Sequence, residues 1–137
     1  MDEPLNLVLF SGTDDKLQAA AVLAAGAAAL GKPVNVFLQY WALDAFRRDR
    51  IDRDHGLAPE AGTEGRVHVD DLRKAGQVSW AATLRQAKDL GSLDIQACSL
   101  SMDLLDLEAN DLDPLVDGVE GVTAFYLNAG EGQVVFI

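Results

Sequence analysis

One residue of this sequence combines the reactivity of a nucleophile with a position that would use it. Cys98 is the single cysteine of the chain, between an alternating apolar segment, 93–97, and a segment of helical character. We therefore expect it at a junction from strand to helix. The unpaired N–H groups at a helix start stabilise an anion and so increase the thiolate fraction of such a cysteine. The pattern predicts a catalytic Cys98, with the N–H groups of Ser99, Leu100 and Ser101 around its sulfur.

The residues that could assist a thiolate limit the reactions in which Cys98 could take part. A cysteine hydrolase needs a histidine base, and both histidines, His55 and His68, lie away from the predicted strand ends. With no second cysteine in the sequence, neither an internal redox couple nor a Cys-based zinc site can form. A nucleophile that needs neither partner can accept a sulfur atom, hold it as a persulfide and pass it to another protein's thiol. The alternative from a different class is a binding or scaffold subunit in which Cys98 is buried and inert.

A polar turn, Ser-Gly-Thr-Asp-Asp at 11–15, follows the first predicted strand and opens a helix. Its amides could cradle an anion, which leaves a small nucleotide-binding domain as a third hypothesis. The turn contains neither G-x-G-x-x-G nor G-x-x-x-x-G-K-[ST], and its two aspartates would repel phosphate. Helix capping by Thr13 or Asp14 is the simpler interpretation. We expect Ser11 and Gly12 to border the thiol pocket as substrate-binding residues.

The elements that must position these residues follow from the apolar pattern. A buried strand at 5–10, an alanine-rich helix ending at Gly31 and a strand at 34–38 predict a β-α-β unit with a right-handed crossover. Beyond it, the pattern predicts helices over 41–48, 79–90, 100–107 and 113–116, a surface loop over 49–66, strands over 93–97, 119–127 and 133–137, and a turn at 128–132. About five strands alternating with helices predict one α/β domain over 1–137, a three-layer sandwich around a mostly parallel sheet.

Two features near the predicted strand ends leave alternatives open. The segment 47–66 holds five arginines and five acidic residues, so it is neutral while the rest carries the whole net charge. We interpret this segment either as a loop exposed to solvent or as a mobile lid or docking segment near a site. Tyr40 and Trp41, after the second strand, read as core or subunit contacts or as a wall of a donor site.

Composition excludes several classes of function. The chain has 137 residues, 49% of them hydrophobic, and a formal net charge of −11. Nucleic acids and anionic membrane surfaces are therefore poor partners, and the longest apolar stretch falls short of the ~20 residues of an integral membrane segment. The acidic run at 103–113 does not match an EF-hand. We expect a cytoplasmic protein that needs no metal and no cofactor.

Three segments carry a family resemblance: I-Q-A-C-S-L-S-M-D at 95–103, D-G-V-E-G-V at 117–122 and L-V-L-F-S-G-T at 7–13. Together they resemble the DsrE-like (DsrE/DsrF/TusD-type) family of small sulfur-carrier and sulfurtransferase proteins. The resemblance implies a flavodoxin-like α/β sandwich, homo- or hetero-oligomers that are commonly trimers or hexamers, and a persulfide on the cysteine that matches Cys98. It implies a sulfur-relay protein with sulfur donor and acceptor proteins as partners.

The sequence departs from the family pattern at two positions. Leu100 stands where related sequences often have Met, and Asp106 where a Gly is common after the helix. Some family members lack transfer activity, so the resemblance leaves the inert scaffold open. The alanine-rich first helix offers a tight packing surface, from which we expect a homo-oligomer, most simply a trimer.

Overall fold

The fold is built on a single sheet of five parallel strands in the order β4-β3-β2-β1-β5. The computed structural model describes residues 3–137. The strands are β1 (Leu5–Leu9), β2 (Val34–Leu38), β3 (Leu93–Cys98), β4 (Gly118–Glu120) and β5 (Val134–Phe136). The predicted α/β fold with a parallel sheet of about five strands is confirmed.

Six α-helices connect these strands. They are α1 (Asp14–Ala29), α2 (Tyr40–Ala45), α3 (Gly62–Lys74), α4 (Trp80–Leu90), α5 (Ser99–Leu104) and α6 (Val122–Ala129), with short 3-10 turns at Pro59–Ala61 and Ala109–Asp111. In the part of the chain that the structure describes, none of these helices has the length and apolar character needed to cross a bilayer.

The main core lies between one face of the sheet and the helix pair α1 and α4. Alternate strand residues, among them Leu7, Val36 and Ile95, point to this face and are at most 2% exposed. The small alanine side chains of α1 let it pack closely on α4 and the sheet, with Ala21 and Ala24 fully buried. The sequence predicts the alanine-rich surface of α1 as an oligomer contact. In the structure this surface packs against α4 of the same chain, which removes its apolar area from water.

The opposite face of the sheet carries α6 as the third layer. Phe37 of β2 stacks on Phe125 of α6 with ring centroids 5.0 Å apart, and Cys98 and Val8 complete this small cluster. Towards the amino ends of the strands this face is polar. Asn35 donates to the side-chain oxygen of Asn6 at 3.0 Å, and Asn6 donates to the carbonyl of Ala129 at 3.2 Å.

The predicted strand over 119–127 is wrong beyond Glu120, and the first two residues of the predicted turn at 128–132 are helical, whereas 130–132 form a turn as predicted. Gly121 caps α6, which continues to Ala129. The run V-T-A-F-Y has a high strand propensity, but Phe125 and Ala129 lie one helical turn apart and both are 2% exposed. Burying them against the sheet outweighs the local preference, which is weak relative to packing.

Several other boundaries differ from the prediction. The loop over 49–66 contains the 3-10 turn at Pro59–Ala61 and the first residues of α3, and its Ile51 is 3% exposed, so it is not a purely solvated excursion. The short helices α2 and α5 end at Ala45 and Leu104, earlier than expected, and 113–116 forms a turn. The helix α4 and the strands β1, β2, β3 and β5 lie close to their predicted positions.

Candidate functional site

Cys98 lies at a junction from strand to helix, as the sequence predicts, and it is the last residue of β3 and the N-cap of α5. Neither Ser99 nor Ser101 is the cap, and the Cys98 side chain makes no capping hydrogen bond. The thiol packs in the apolar cluster with Phe37 and Phe125, and the residue is only 6% exposed. The position suits a nucleophile at the carboxyl edge of the sheet, but α6 leaves little of the side chain in contact with solvent.

Glu120 is the neighbour of Cys98 on the adjoining strand, because the register of β3 and β4 pairs the two residues. Burial and the negative charge of Asp94 raise the pKa of the Glu120 carboxyl above its ordinary value, although a hydrogen bond from Asn128 opposes this shift. We did not identify Glu120 from the sequence. The available signal was one acidic residue in the short D-G-V-E-G-V strand next to the strand that bears the cysteine.

The three residues after Cys98 have different surroundings. Ser101 is 1% exposed, and its hydroxyl accepts a hydrogen bond from the backbone N–H of Tyr40 at 3.2 Å. Ser99 is exposed, and Leu100 is 62% exposed. Ser101 therefore fixes α5 to the start of α2, while the side chains of Ser99 and Leu100 face solvent.

Ser11 and Gly12 line a groove of about 430 Å³ together with Trp41, Arg50 and His55. Cys98 is not part of this lining, and β2 separates its strand from β1. A Cβ at position 12 would lie 2.2 Å from the carbonyl oxygen of Trp41, so Gly12 allows a close backbone approach. The structure thus places Ser11 and Gly12 beside α2 and does not bring them into one cavity with the thiol.

Two backbone amides of the same turn donate hydrogen bonds within the chain. The N–H of Asp14 donates to the carbonyl of Gly56 at 2.9 Å, and that of Ser11 to the carbonyl of Ile137 at 3.3 Å. Thr13 is the N-cap of α1, but its side chain makes no capping hydrogen bond. Carbonyl oxygens thus accept from two of the N–H groups that a phosphate would use at a nucleotide site, which counts against the nucleotide-binding hypothesis.

His55 is partly buried beside Trp80. Its ring centroid lies 5.8 Å from that of Trp80, and its Nε2 is buried without a hydrogen-bond partner among residues 3–137. Its backbone N–H donates to Asp14 at 3.0 Å. Within the same described range, no three or more His, Cys, Asp or Glu side chains are grouped to hold a metal ion.

Comparison with known proteins agrees with this fold. A family model described as DsrE/DsrF/DrsH-like matches residues 1–63. The protein YrkE of Bacillus subtilis (strain 168) is 28% identical over 149 residues, which cover 93% of this chain and 92% of YrkE.

Two solved structures share the architecture at low sequence identity. MTH1491 from Methanobacterium thermoautotrophicum superposes with a TM-score of 0.60 at 14% identity over 99% of this chain and 100% of its own. The ychN protein of E. coli gives 0.59 at 13% identity over 98% and 99%. The family model makes residues 1–63 similar to DsrE/DsrF/DrsH-like proteins, and the two solved structures share the fold of the whole chain.

Proposed function

We propose that the protein is a cytoplasmic sulfur-relay protein that carries sulfane sulfur on Cys98. The Cys98 thiolate attacks the outer sulfur of a donor persulfide, a new S–S bond forms, and the donor leaves as a thiolate. An acceptor protein's thiolate then attacks the outer sulfur held on Cys98, whose own thiolate is the leaving group. Each step exchanges one S–S bond for another, so the relay needs no external oxidant or reductant.

The observation that carries this proposal is the position of Cys98 at the carboxyl end of β3, where α5 begins. Ligands of open parallel sheets collect at this edge, and the similarity to DsrE/DsrF/DrsH-like proteins suggests a sulfur-relay role. In the proposal, the exposed Ser99 and Leu100 contact the donor or the acceptor, and Ser101 positions α5. Ser11 and Gly12 act at a distance, as supports of the start of α2.

The burial of Cys98 favours a second candidate, a scaffold subunit of the same fold with an inert cysteine. A side chain that is 6% exposed and packed against Phe37 and Phe125 resembles an ordinary core residue. The two candidates differ in one property: a relay requires that α6 or its neighbours open far enough for a donor persulfide to reach the sulfur.

Sulfur loading measured by intact mass separates the two candidates. After incubation with polysulfide and removal of excess donor, the relay predicts an added mass of one sulfur on the native protein and none on Cys98→Ser. Treatment of the loaded protein with a cysteine-containing peptide should return the original mass and yield a peptide persulfide. Ser92→Ala, an exposed substitution directly before β3 and at the other end of the strand from Cys98, serves as a matched control that should still load. A folded protein that stays unloaded, or a Cys98→Ser variant that loads, would contradict the relay.

We further propose that the protein forms a homo-oligomer, most simply a trimer, through an apolar surface on α5, α6 and β5. Its exposed members are Leu104 (57%), Val122 (50%), Tyr126 (63%), Leu127 (79%), Val134 (45%) and Phe136 (66%). Exposed patches of this kind mark interaction surfaces. Light scattering should give a multiple of 14.7 kDa, and Leu127→Asp should lower it. A monomeric mass at micromolar concentration would contradict this assembly.

A further inference from the structure

A cavity of about 480 Å³ lies on the α1 and α4 side of the molecule, away from Cys98. Its walls are the first turn of α1, the segment 51–57, the helix α3 and the start of α4. Small-molecule sites in proteins typically enclose roughly 300–1,000 Å³ and are mostly apolar. The apolar lining here includes Leu57 and Trp80.

The helix α3 covers this cavity without being packed into the core. None of its 13 residues is buried. Val69 and Leu72, one helical turn apart, both line the cavity, and Leu72 is 36% exposed. Ion pairs attach the helix to the rest of the chain: Arg73 to Asp14 at 2.6 Å, and Arg66 to Asp54 at 2.8 Å. Because ion pairs attach α3 to the rest of the chain, the apolar face of this amphipathic helix remains available to a molecule bound in the cavity.

The charges around the cavity indicate the kind of occupant. Four carboxylates, those of Asp14, Asp15, Asp52 and Asp54, line it against two guanidiniums, those of Arg53 and Arg73. Arg73 pairs with Asp14 and with Asp54 at 3.4 Å. Arg66 also pairs with Asp54 at 2.8 Å, and Arg85 with Asp52 at 3.9 Å. Among the described residues, Asp15 is thus the lining carboxylate without a basic partner, in a chain of net charge −11, and such a carboxylate attracts a cation.

Asp15 is the carboxylate best placed to receive a cation. It accepts hydrogen bonds from the backbone N–H groups of Lys16 at 3.0 Å and Ala58 at 3.1 Å, and among residues 3–137 no basic side chain pairs with it. Partial burial works to raise its pKa, but hydrogen bonds from Thr13 and Ala58 bring the pKa below the ordinary value. Asp15 is thus a charged acceptor beside an apolar volume.

We propose that this cavity binds a small molecule that carries a primary ammonium group on an apolar or aromatic body. The ammonium pairs with Asp15, and the body packs against Val69, Leu72 and Trp80. This site is independent of the sulfur relay proposed for Cys98, because the cavity and the thiol lie at different places in the fold and share no residue.

The two tryptophans provide the measurement. Trp80 lines the cavity and donates its indole N–H to Asp14 at 2.9 Å, whereas Trp41 lies outside it and is 56% exposed. Phenethylamine titrated into ¹⁵N-labelled protein should shift the Trp80 indole resonance saturably and leave that of Trp41 in place, with Trp41→Phe providing the assignment. The matched anion, 3-phenylpropanoate, should give no saturable shift.

Three variants test the named contacts. Asp15→Asn keeps an oxygen acceptor for the Ala58 N–H but removes the charge, and should weaken phenethylamine binding by about tenfold, the usual scale for one charged hydrogen bond. Asp89→Asn, at an exposed position of α4, should leave the affinity unchanged. Leu72→Trp fills the cavity from a helix without buried residues and should abolish binding without unfolding the core.

Four results would overturn the proposal. They are no saturable shift with phenethylamine at millimolar concentration, an equal response to the anion, a shift of Trp41 alone, and unaltered affinity in both Asp15→Asn and Leu72→Trp. If Asp15→Asn fails to fold, Leu72→Trp still decides the outcome.

Discussion

The backbone N–H of Tyr40 donates a hydrogen bond to the hydroxyl of Ser101 across 3.2 Å. Tyr40 begins α2 with φ of 43°, in the left-handed region that residues other than glycine rarely adopt. Its ring lies 5.2 Å from that of Phe10, which also holds this turn. The contact with Ser101 therefore joins the turn after β2 to α5, the helix that follows Cys98.

Removing this acceptor should destabilise the fold. Ser101→Ala leaves the Tyr40 N–H without its partner at a partly buried position, which should lower the free energy of unfolding by about 1 kcal/mol. Ser99→Ala, at an exposed position on the same helix, should change it by less than about 0.5 kcal/mol. Urea unfolding curves of both variants test this difference, and equal losses would show that the hydroxyl of Ser101 has no structural role.

Two glycines should respond to alanine with opposite signs. At Gly12 a Cβ would lie 2.2 Å from the Trp41 carbonyl oxygen, so Gly12→Ala must displace the start of α2 and should cost about 2–3 kcal/mol. Gly26, inside α1, has no atom within 4 Å of such a Cβ in the described part of the chain, so Gly26→Ala should stabilise by about 0.5–1 kcal/mol. Thermal unfolding of the two variants provides the test. A Gly12→Ala variant as stable as the parent would reopen a direct binding role for this glycine.

The sequence predicts those parts of the fold in which the local pattern agrees with the packing. The apolar runs of β1, β2 and β3 and the position of Cys98 at a strand end could be recognised because buried parallel strands have this signature. The helix α6 could not, because its formation depends on Phe125 meeting Phe37, a residue far away in the chain.

Polar contacts between residues distant in the chain explain the other features that the sequence does not predict. Arg73 reaches Asp14 across 59 positions and Tyr40 reaches Ser101 across 61, and no local pattern encodes such pairs. For this reason the lining of the cavity under α3 and the anchoring of α5 emerge only from the fold. The separation of Ser11 and Gly12 from the thiol likewise follows from the strand order, in which β2 lies between their strand and that of Cys98.

The raised pKa of Glu120 predicts a pH-dependent effect of neutralising it. A carboxyl whose pKa is higher in the folded than in the unfolded state stabilises the fold below the unfolded value, ordinarily 4.5, and loses that contribution as the pH rises through the folded value. Glu120→Gln removes the charge beside Asp94 and keeps an oxygen for Asn128. The variant should be more stable than the parent near neutral pH, by less than about 1 kcal/mol.

Unfolding in urea at several pH values tests this prediction. The advantage of Glu120→Gln should shrink as the pH falls below the ordinary Glu value, because the parent carboxyl is then neutral in both states. Glu131→Gln, an exposed substitution with the same loss of charge, provides the control. An advantage that is the same at every pH would mean that Glu120 acts through packing and not through its charge.

Asp106 ends α5 in a conformation suited to glycine, with φ of 53°. Its N–H donates to the carbonyl of Asp103 at 3.2 Å and the N–H of Leu107 to that of Met102 at 2.9 Å, which is the hydrogen-bond pattern of a Schellman motif. Glycine adopts this φ without steric strain, aspartate tolerates it, and alanine does so least well. The backbone conformation therefore suits a glycine at position 106 better than any other residue.

The stabilities of variants at position 106 should therefore follow the backbone preference of the new residue and not its charge. Asp106→Gly should raise the free energy of unfolding by about 0.5 kcal/mol. The substitution relieves backbone strain in the folded state, and the larger conformational entropy of glycine in the unfolded state offsets part of this gain. Asp106→Ala removes the same carboxylate and should lower it by about 1 kcal/mol. Because both variants lose one negative charge from an acidic chain, an electrostatic effect would move them together. A measured stability in the order Gly, Asp, Ala requires the left-handed turn, and any order that places Ala above Gly contradicts it.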